Sequence, residues 1–172
     1  MVIELLVKPL SRVDIRSLAT VVRKLAGSPV YFDIVKFLEI GLAKLDPESD
    51  IVVLPDSEMK DAYAKAFPDE HLIQIRESVY NKAVNGDYRH RFTLCHELGH
   101  YLLHSGQSIV FSREERKPRA FEDPEWQANS FAGELLVPAE IAARYDENEI
   151  TELCGASFTV AKIQKNVLKQ KK

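Results

Sequence analysis

Apolar residues in the first quarter of the chain recur at helical rather than strand spacing. Ser11 to Ala26 carries them on one face, with Ser11 placed to cap the start and Gly27-Ser28-Pro29 to end it, so a first amphipathic helix is predicted there. A second is predicted from Tyr31 to Leu45, where Ile34, Val35, Phe37, Leu38 and Leu42 share a core-facing stripe. The pattern then changes. Asp50-Ile51-Val52-Val53-Leu54-Pro55 reads as a short buried strand. Ala62 to Phe67 and His71 to Ile75 read as two more, joined by Pro68-Asp69-Glu70 as a β-hairpin. Helical spacing returns from Tyr88 to His104, with large apolar residues at Phe92, Cys95, Leu102 and Leu103 and no proline. It returns again between Pro124 and Pro138, where Trp126, Phe131 and Leu135 alternate with small Ala128 and Ala132, as in a helix packed closely on another. Ser105 to Asp123, between these two helices, is polar apart from Ile109-Val110-Phe111 and reads as a gate, a substrate-contacting loop or an inert surface loop. Glu147 to Leu153 and Thr159 to Lys169 give two short helical patterns about Gly155-Ala156-Ser157, expected to close the domain. No internal repeat or low-complexity linker interrupts the chain. The expected class is α+β, a small antiparallel or mixed sheet beside the helix at 88–104.

That helix carries His96-Glu97-Leu98-Gly99-His100. At 3.6 residues per turn the two histidines lie one turn apart on one face, where both can reach a single metal ion. Glu97, on the adjoining face, is placed to deprotonate a water that zinc has acidified from a pKa of about 15.7 toward about 7. From the chain's own His and Glu content, about 0.01 such motifs are expected by chance. Gly99 costs about 1 kcal/mol of helix propensity relative to Ala, which asks for a packing reason: a closely approaching backbone, or a strand over the metal.

A catalytic zinc site needs a third protein ligand and an open fourth position. Glu125, in the first turn of the helix bracketed by the two prolines, is the leading choice. His104 lies near the metal face but a second turn along, and is favoured as a structural or outer-shell residue because a straight helix rarely gives three ligands to one tetrahedral ion. Asp123 precedes a proline and reads as a helix cap, and Glu134 as a solvated or salt-bridged position. Cys95 reads as a buried free thiol. His90, Tyr88 and Tyr101 are alternatives for stabilising an oxyanion, with nothing in the spacing to choose among them.

Taken together, His96-Glu97-Leu98-Gly99-His100-Tyr101-Leu102-Leu103-His104 and Glu125-x-x-Ala128-Asn129-x-Phe131-Ala132-x-x-Leu135-Leu136-x-Pro138 resemble the ImmA/IrrE family of metallo-endopeptidases. Arg89-x-Arg91-Phe92-Thr93 is similar to the segment that introduces the family's zinc helix. The resemblance is dense over residues 88 to 138 and extends from Ile15 to Asp87 only in the order of elements. It implies a zincin-like metallopeptidase domain of glutamate type, with His96, His100 and Glu125 as zinc ligands and Glu97 as general base. Manganese is the alternative metal in cells. It implies as substrate a helix-turn-helix repressor of the Xre type, cleaved to derepress phage, mobile-element or stress genes. The competing reading is a non-catalytic peptidase-fold regulator or toxin–antitoxin component that acts by protein binding. Glu97 separates the two, because a purely structural zinc site has no need of a carboxylate beside its ligands.

Composition narrows the setting. A chain of 172 residues with 45% hydrophobic content suits one domain over residues 1–172, with 147–172 as its closing segment. The opening Met1-Val2-Ile3-Glu4-Leu5-Leu6-Val7 lacks the basic start and long apolar run of a signal peptide, and no apolar stretch reaches membrane-spanning length, so a cytoplasmic location is expected. Cys95 and Cys154 show neither a disulfide framework nor a thiolate zinc pattern. A net charge of −3 argues against DNA binding. The short basic clusters Arg89-His90-Arg91, Arg113 to Lys117 and Lys169 to Lys172 read as solvated surface, and the last two helices lack a basic recognition face.

Overall fold

A computed structural model describes residues 5–106, 110–111 and 119–169; the basic cluster at 113–117, part of the 105–123 connection and residues 170–172 lie outside them. After a two-residue strand, β1 (Leu5–Leu6), Ser11 starts α1 (Arg12–Leu25) with a capping box. The Ser11 hydroxyl accepts from Asp14 N–H at 3.2 Å, and the Asp14 carboxylate accepts from Ser11 N–H at 3.0 Å. The predicted second helix is shorter and irregular: α2 (Ile34–Lys36) runs on as a π turn over Phe37–Gly41 and a 3-10 turn over Leu42–Lys44.

β2 (Asp50–Leu54), β3 (Ala64–Phe67) and β4 (Leu72–Arg76) form a three-stranded sheet in the order β2-β4-β3. β3 and β4 are the expected hairpin, antiparallel about a 3-10 turn at Pro68–Glu70, whereas β2 runs parallel to β4, so the sheet is mixed. Ile73 and Ile75 of the central strand are fully buried. An unpredicted helix, α3 (Glu77–Val84), follows β4 directly, and no side chain caps its start. α4 (Tyr88–Leu103) is the motif helix, capped by the Asp87 carboxylate on His90 N–H at 3.0 Å. β5 (Val110–Phe111) pairs antiparallel with β1. Asp123 caps α5 (Pro124–Leu136) as expected, accepting from Glu125 N–H at 2.9 Å, with Pro124 in the first turn. An unpredicted short helix, α6 (Ala139–Arg144), follows Pro138; α7 (Glu147–Cys154) and α8 (Phe158–Lys169) match the two predicted terminal helices.

Two contacts explain the core. Gly99 of α4 meets the backbone of α5: a Cβ at this position would lie 3.1 Å from Ala128 Cα and 3.2 Å from its carbonyl oxygen. The packing reason sought for this glycine is therefore a neighbouring helix backbone. On the other side of α5, α1 buries Ile15, Ala19 and Val22. There the Glu134 carboxylate is enclosed and held by Arg16 at 2.8 and 3.0 Å and by Arg12 at 3.2 Å. Of its two sequence readings the salt bridge holds and the solvated position does not.

Arg91 departs from the reading of its basic cluster as solvated surface, whereas Arg89 in the same cluster is exposed. The Arg91 side chain is 1% exposed, stacks on Tyr31 with Cζ 3.9 Å from the ring centre, and donates to Phe32 O at 2.7 Å and Cys154 O at 3.1 Å. It also donates to the carbonyl of Gly155, whose positive φ of 58° ends α7. A guanidinium at a helix C-terminus meets both the free carbonyls and the negative end of the dipole, which is why a charge is tolerated in this core.

Candidate metal centre

α4 sets His96 and His100 one turn apart with ring centres separated by 4.6 Å, and the first turn of α5 brings Glu125 across to them. The Nε2 atoms of the two histidines are 2.9 Å apart. Glu125 Oε2 lies 3.3 Å from His96 Nε2, and Oε1 lies 3.2 Å from His100 Nε2. Two donor atoms each about 2.0–2.1 Å from a tetrahedral ion are about 3.3 Å apart, so this triangle has the size of one face of a zinc tetrahedron. Among the described residues, His96, His100 and Glu125 are the group of His, Cys, Asp and Glu side chains able to hold a metal ion together. The predicted trio is thus assembled by two different helices.

The protonation of the donors agrees with a cation. Asn129 Oδ1 faces His96 Nδ1 at 2.9 Å, and His100 Nδ1 faces His104 Nδ1 at 3.0 Å. With hydrogens on the two Nδ1 atoms, both Nε2 atoms would offer lone pairs beside a carboxylate, the donor set a cation takes. Burial, reinforced by the charges His96 and His104 would carry, lowers the pKa of His100 to about 3, so its ring is neutral at any physiological pH. Neutral imidazole is the ligating form.

Glu97 lies beside this group. One carboxylate oxygen accepts from Ala66 N–H of β3 at 2.9 Å, which ties the motif helix to the edge of the sheet. Burial raises its pKa to about 7, opposed by that hydrogen bond. His104 is outside the triangle, as the helix geometry suggested, with its Nε2 on Gln127 Oε1 at 3.1 Å. Cys95 is fully buried, and burial pushes its thiol up to about 12, so it is an inert core residue. None of the oxyanion alternatives is drawn into the group. The Tyr101 hydroxyl is taken by Asp46, His90 Nδ1 by Asp87 at 2.6 Å, and Tyr88 begins the helix about 12 Å before His96 along its axis.

Gln127, Asn129 and the Ala66 amide were given no role from sequence. Gln127 was the most findable, since 127, 131 and 135 fall on one helix face and a polar residue on the stripe of Phe131 and Leu135 signals a buried polar task.

A family model described as the IrrE N-terminal-like domain of the M78 peptidases matches residues 47–164. The chain belongs to this family. The M78 match spans α4, α5 and the sheet, and begins after α1 and α2. M78 membership points to a metallopeptidase and agrees with a helix-rich α+β fold with a small sheet. A solved structure of a Mycobacterium tuberculosis transcriptional regulator is similar with a TM-score of 0.55 and 20% identity, over 86% of this chain and 45% of that one. That likeness is one of fold, and this chain spans less than half the length of that protein. No curated protein matches the sequence. No helix among the described residues is long and apolar enough to cross a membrane.

Proposed function

We propose that this M78 domain is a zinc-dependent endopeptidase that cuts a helix-turn-helix repressor of the Xre type, and that residues 1–172 work as one zincin-like cytoplasmic domain with 147–172 as its closing segment. The observation that carries the proposal is the convergence of three metal-ligand atoms beside a carboxylate at a sheet edge. His96, His100 and Glu125 would hold the ion, which when bound supplies Lewis acidity toward water and toward a peptide carbonyl. Glu97 then has a defined task. With one oxygen fixed by Ala66 N–H, the other takes a proton from water as the water oxygen bonds to the carbonyl carbon, and returns it to the departing amine nitrogen as the C–N bond breaks. β3 is an edge strand, and because Ala66 N–H turns away from β4 to Glu97, the outward carbonyl of Ala66 lies on the side where an extended peptide would pair. Xre repressors as the substrate class follow from the family resemblance, and the likeness to a transcriptional regulator is in keeping with a role in regulation.

The test is to incubate the zinc-loaded protein with purified Xre-type repressors, beginning with any encoded in a neighbouring reading frame. One discrete cut, stopped by a chelator and restored by zinc, is expected. A stable complex that stays uncut with zinc or manganese would replace this reading with the non-catalytic regulator. Glu125→Ala is expected to lower zinc content from about one per chain to a small fraction, measured by elemental analysis after gel filtration, because two imidazoles alone make a weak site. Full zinc retention in that variant would remove Glu125 from the ligand set.

A further inference from the structure

We propose that Gln127 and His104 are positioning residues, which fix the proton of His100 on Nδ1 and so keep its Nε2 lone pair aimed at the metal. The inference rests on His96, His100 and Glu125 being a metal site and is independent of the repressor as substrate. It starts at the backbone. The Gln127 side chain is fully buried, and its amide nitrogen donates to two main-chain carbonyls, Lys8 O and Phe121 O, each at 2.9 Å. The flipped amide would set its oxygen against both carbonyls, so one orientation is selected. Gln127 Oε1 therefore faces His104 Nε2, 3.1 Å away, and that nitrogen must carry the hydrogen. A neutral ring has only one N–H, so His104 Nδ1 holds a lone pair. His100 Nδ1, at 3.0 Å, must then be the donor, which leaves Nε2 of His100 unprotonated toward His96 and Glu125.

Each link is a single hydrogen bond, and the order of donors is set from the Gln127 end. Without it, His100 is free to place its proton on Nε2, where it blocks a ligand position. Outer partners of metal-binding histidines are worth about 10–100-fold in affinity, and the same loss is expected here.

The experiment reads tautomers and affinity, not cleavage. Long-range 1H–15N NMR of the metal-free full chain is expected to show His100 as the Nδ1–H form and His104 as the Nε2–H form. Gln127→Met, which keeps the length of the side chain but offers no acceptor oxygen or amide donor, is expected to shift His100 toward Nε2–H and to weaken zinc binding by about 10–100-fold in competition with a chromophoric chelator. An Nε2–H tautomer of His100 in the unsubstituted protein would overturn the proposal, and this result does not depend on the variant folding. So would a folded Gln127→Met protein with unchanged tautomer and zinc affinity. Failure of the unsubstituted protein to bind zinc would remove the metal site and this inference with it, whereas zinc binding without cleavage would count only against the repressor reading.

Discussion

Glu97→Gln is expected to keep about one zinc per chain while lowering the rate of repressor cleavage by about 10²–10⁴-fold, the usual worth of a positioned general base. The substitution is nearly isosteric, and its amide oxygen can still accept from Ala66 N–H, so the link between α4 and β3 survives. What it removes is the ability to take a proton from water. Zinc measured per chain and single-turnover cleavage separate the two effects: metal unchanged and rate lost is the expected pair. Unchanged turnover would show that another group is the base, and lost metal would place Glu97 among the ligands.

Arg91→Met is expected to destabilise the fold strongly, although it lies outside the metal centre. The methionine chain replaces much of the packing against Tyr31, but it leaves the carbonyls of Phe32, Cys154 and Gly155 without their donor. Each buried carbonyl so abandoned costs about 1–3 kcal/mol, giving a loss on the order of 3 kcal/mol or more. At about 2–4 °C per kcal/mol for a protein of this size, Tm should fall by roughly 6–12 °C, measured by circular dichroism on the metal-free protein. Arg91→Lys should recover little of it, since an ammonium cannot fork to carbonyls in two different elements while stacked on a ring. A change below about 1 kcal/mol would show that water replaces the guanidinium freely.

Arg91 also shows why part of the fold was hidden in the sequence. Its position was readable: 91, 94, 95 and 98 form one stripe of α4, and all four are buried. Its charge, beside Arg89 and His90, pulled the reading to the surface, and the carbonyls it serves lie in distant segments that no local pattern announces. The grouping of His96, His100 and Glu125 was legible for the opposite reason, since helical spacing fixes His96 against His100 and two prolines locate the first turn of α5. α3 went unread because β4 enters it with neither a capping side chain nor a glycine or proline to mark the change. β1 and β5 were unreadable in principle, for two residues cannot display a period of two.

The anchoring of Gln127 on the carbonyl of Lys8 bears on how little of this chain could be cut away. A fragment spanning 47–164, the shared portion, would retain every ligand and the base. It would also strip α1 from α5, leave Glu134 without Arg12 and Arg16, and remove one of the two carbonyls that orient Gln127. The range matched by the family model therefore leaves out contacts that α5 makes with the start of the chain. On the positioning role proposed for Gln127, a fragment that starts at 47 should bind zinc more weakly than the full chain even though it holds all three ligands.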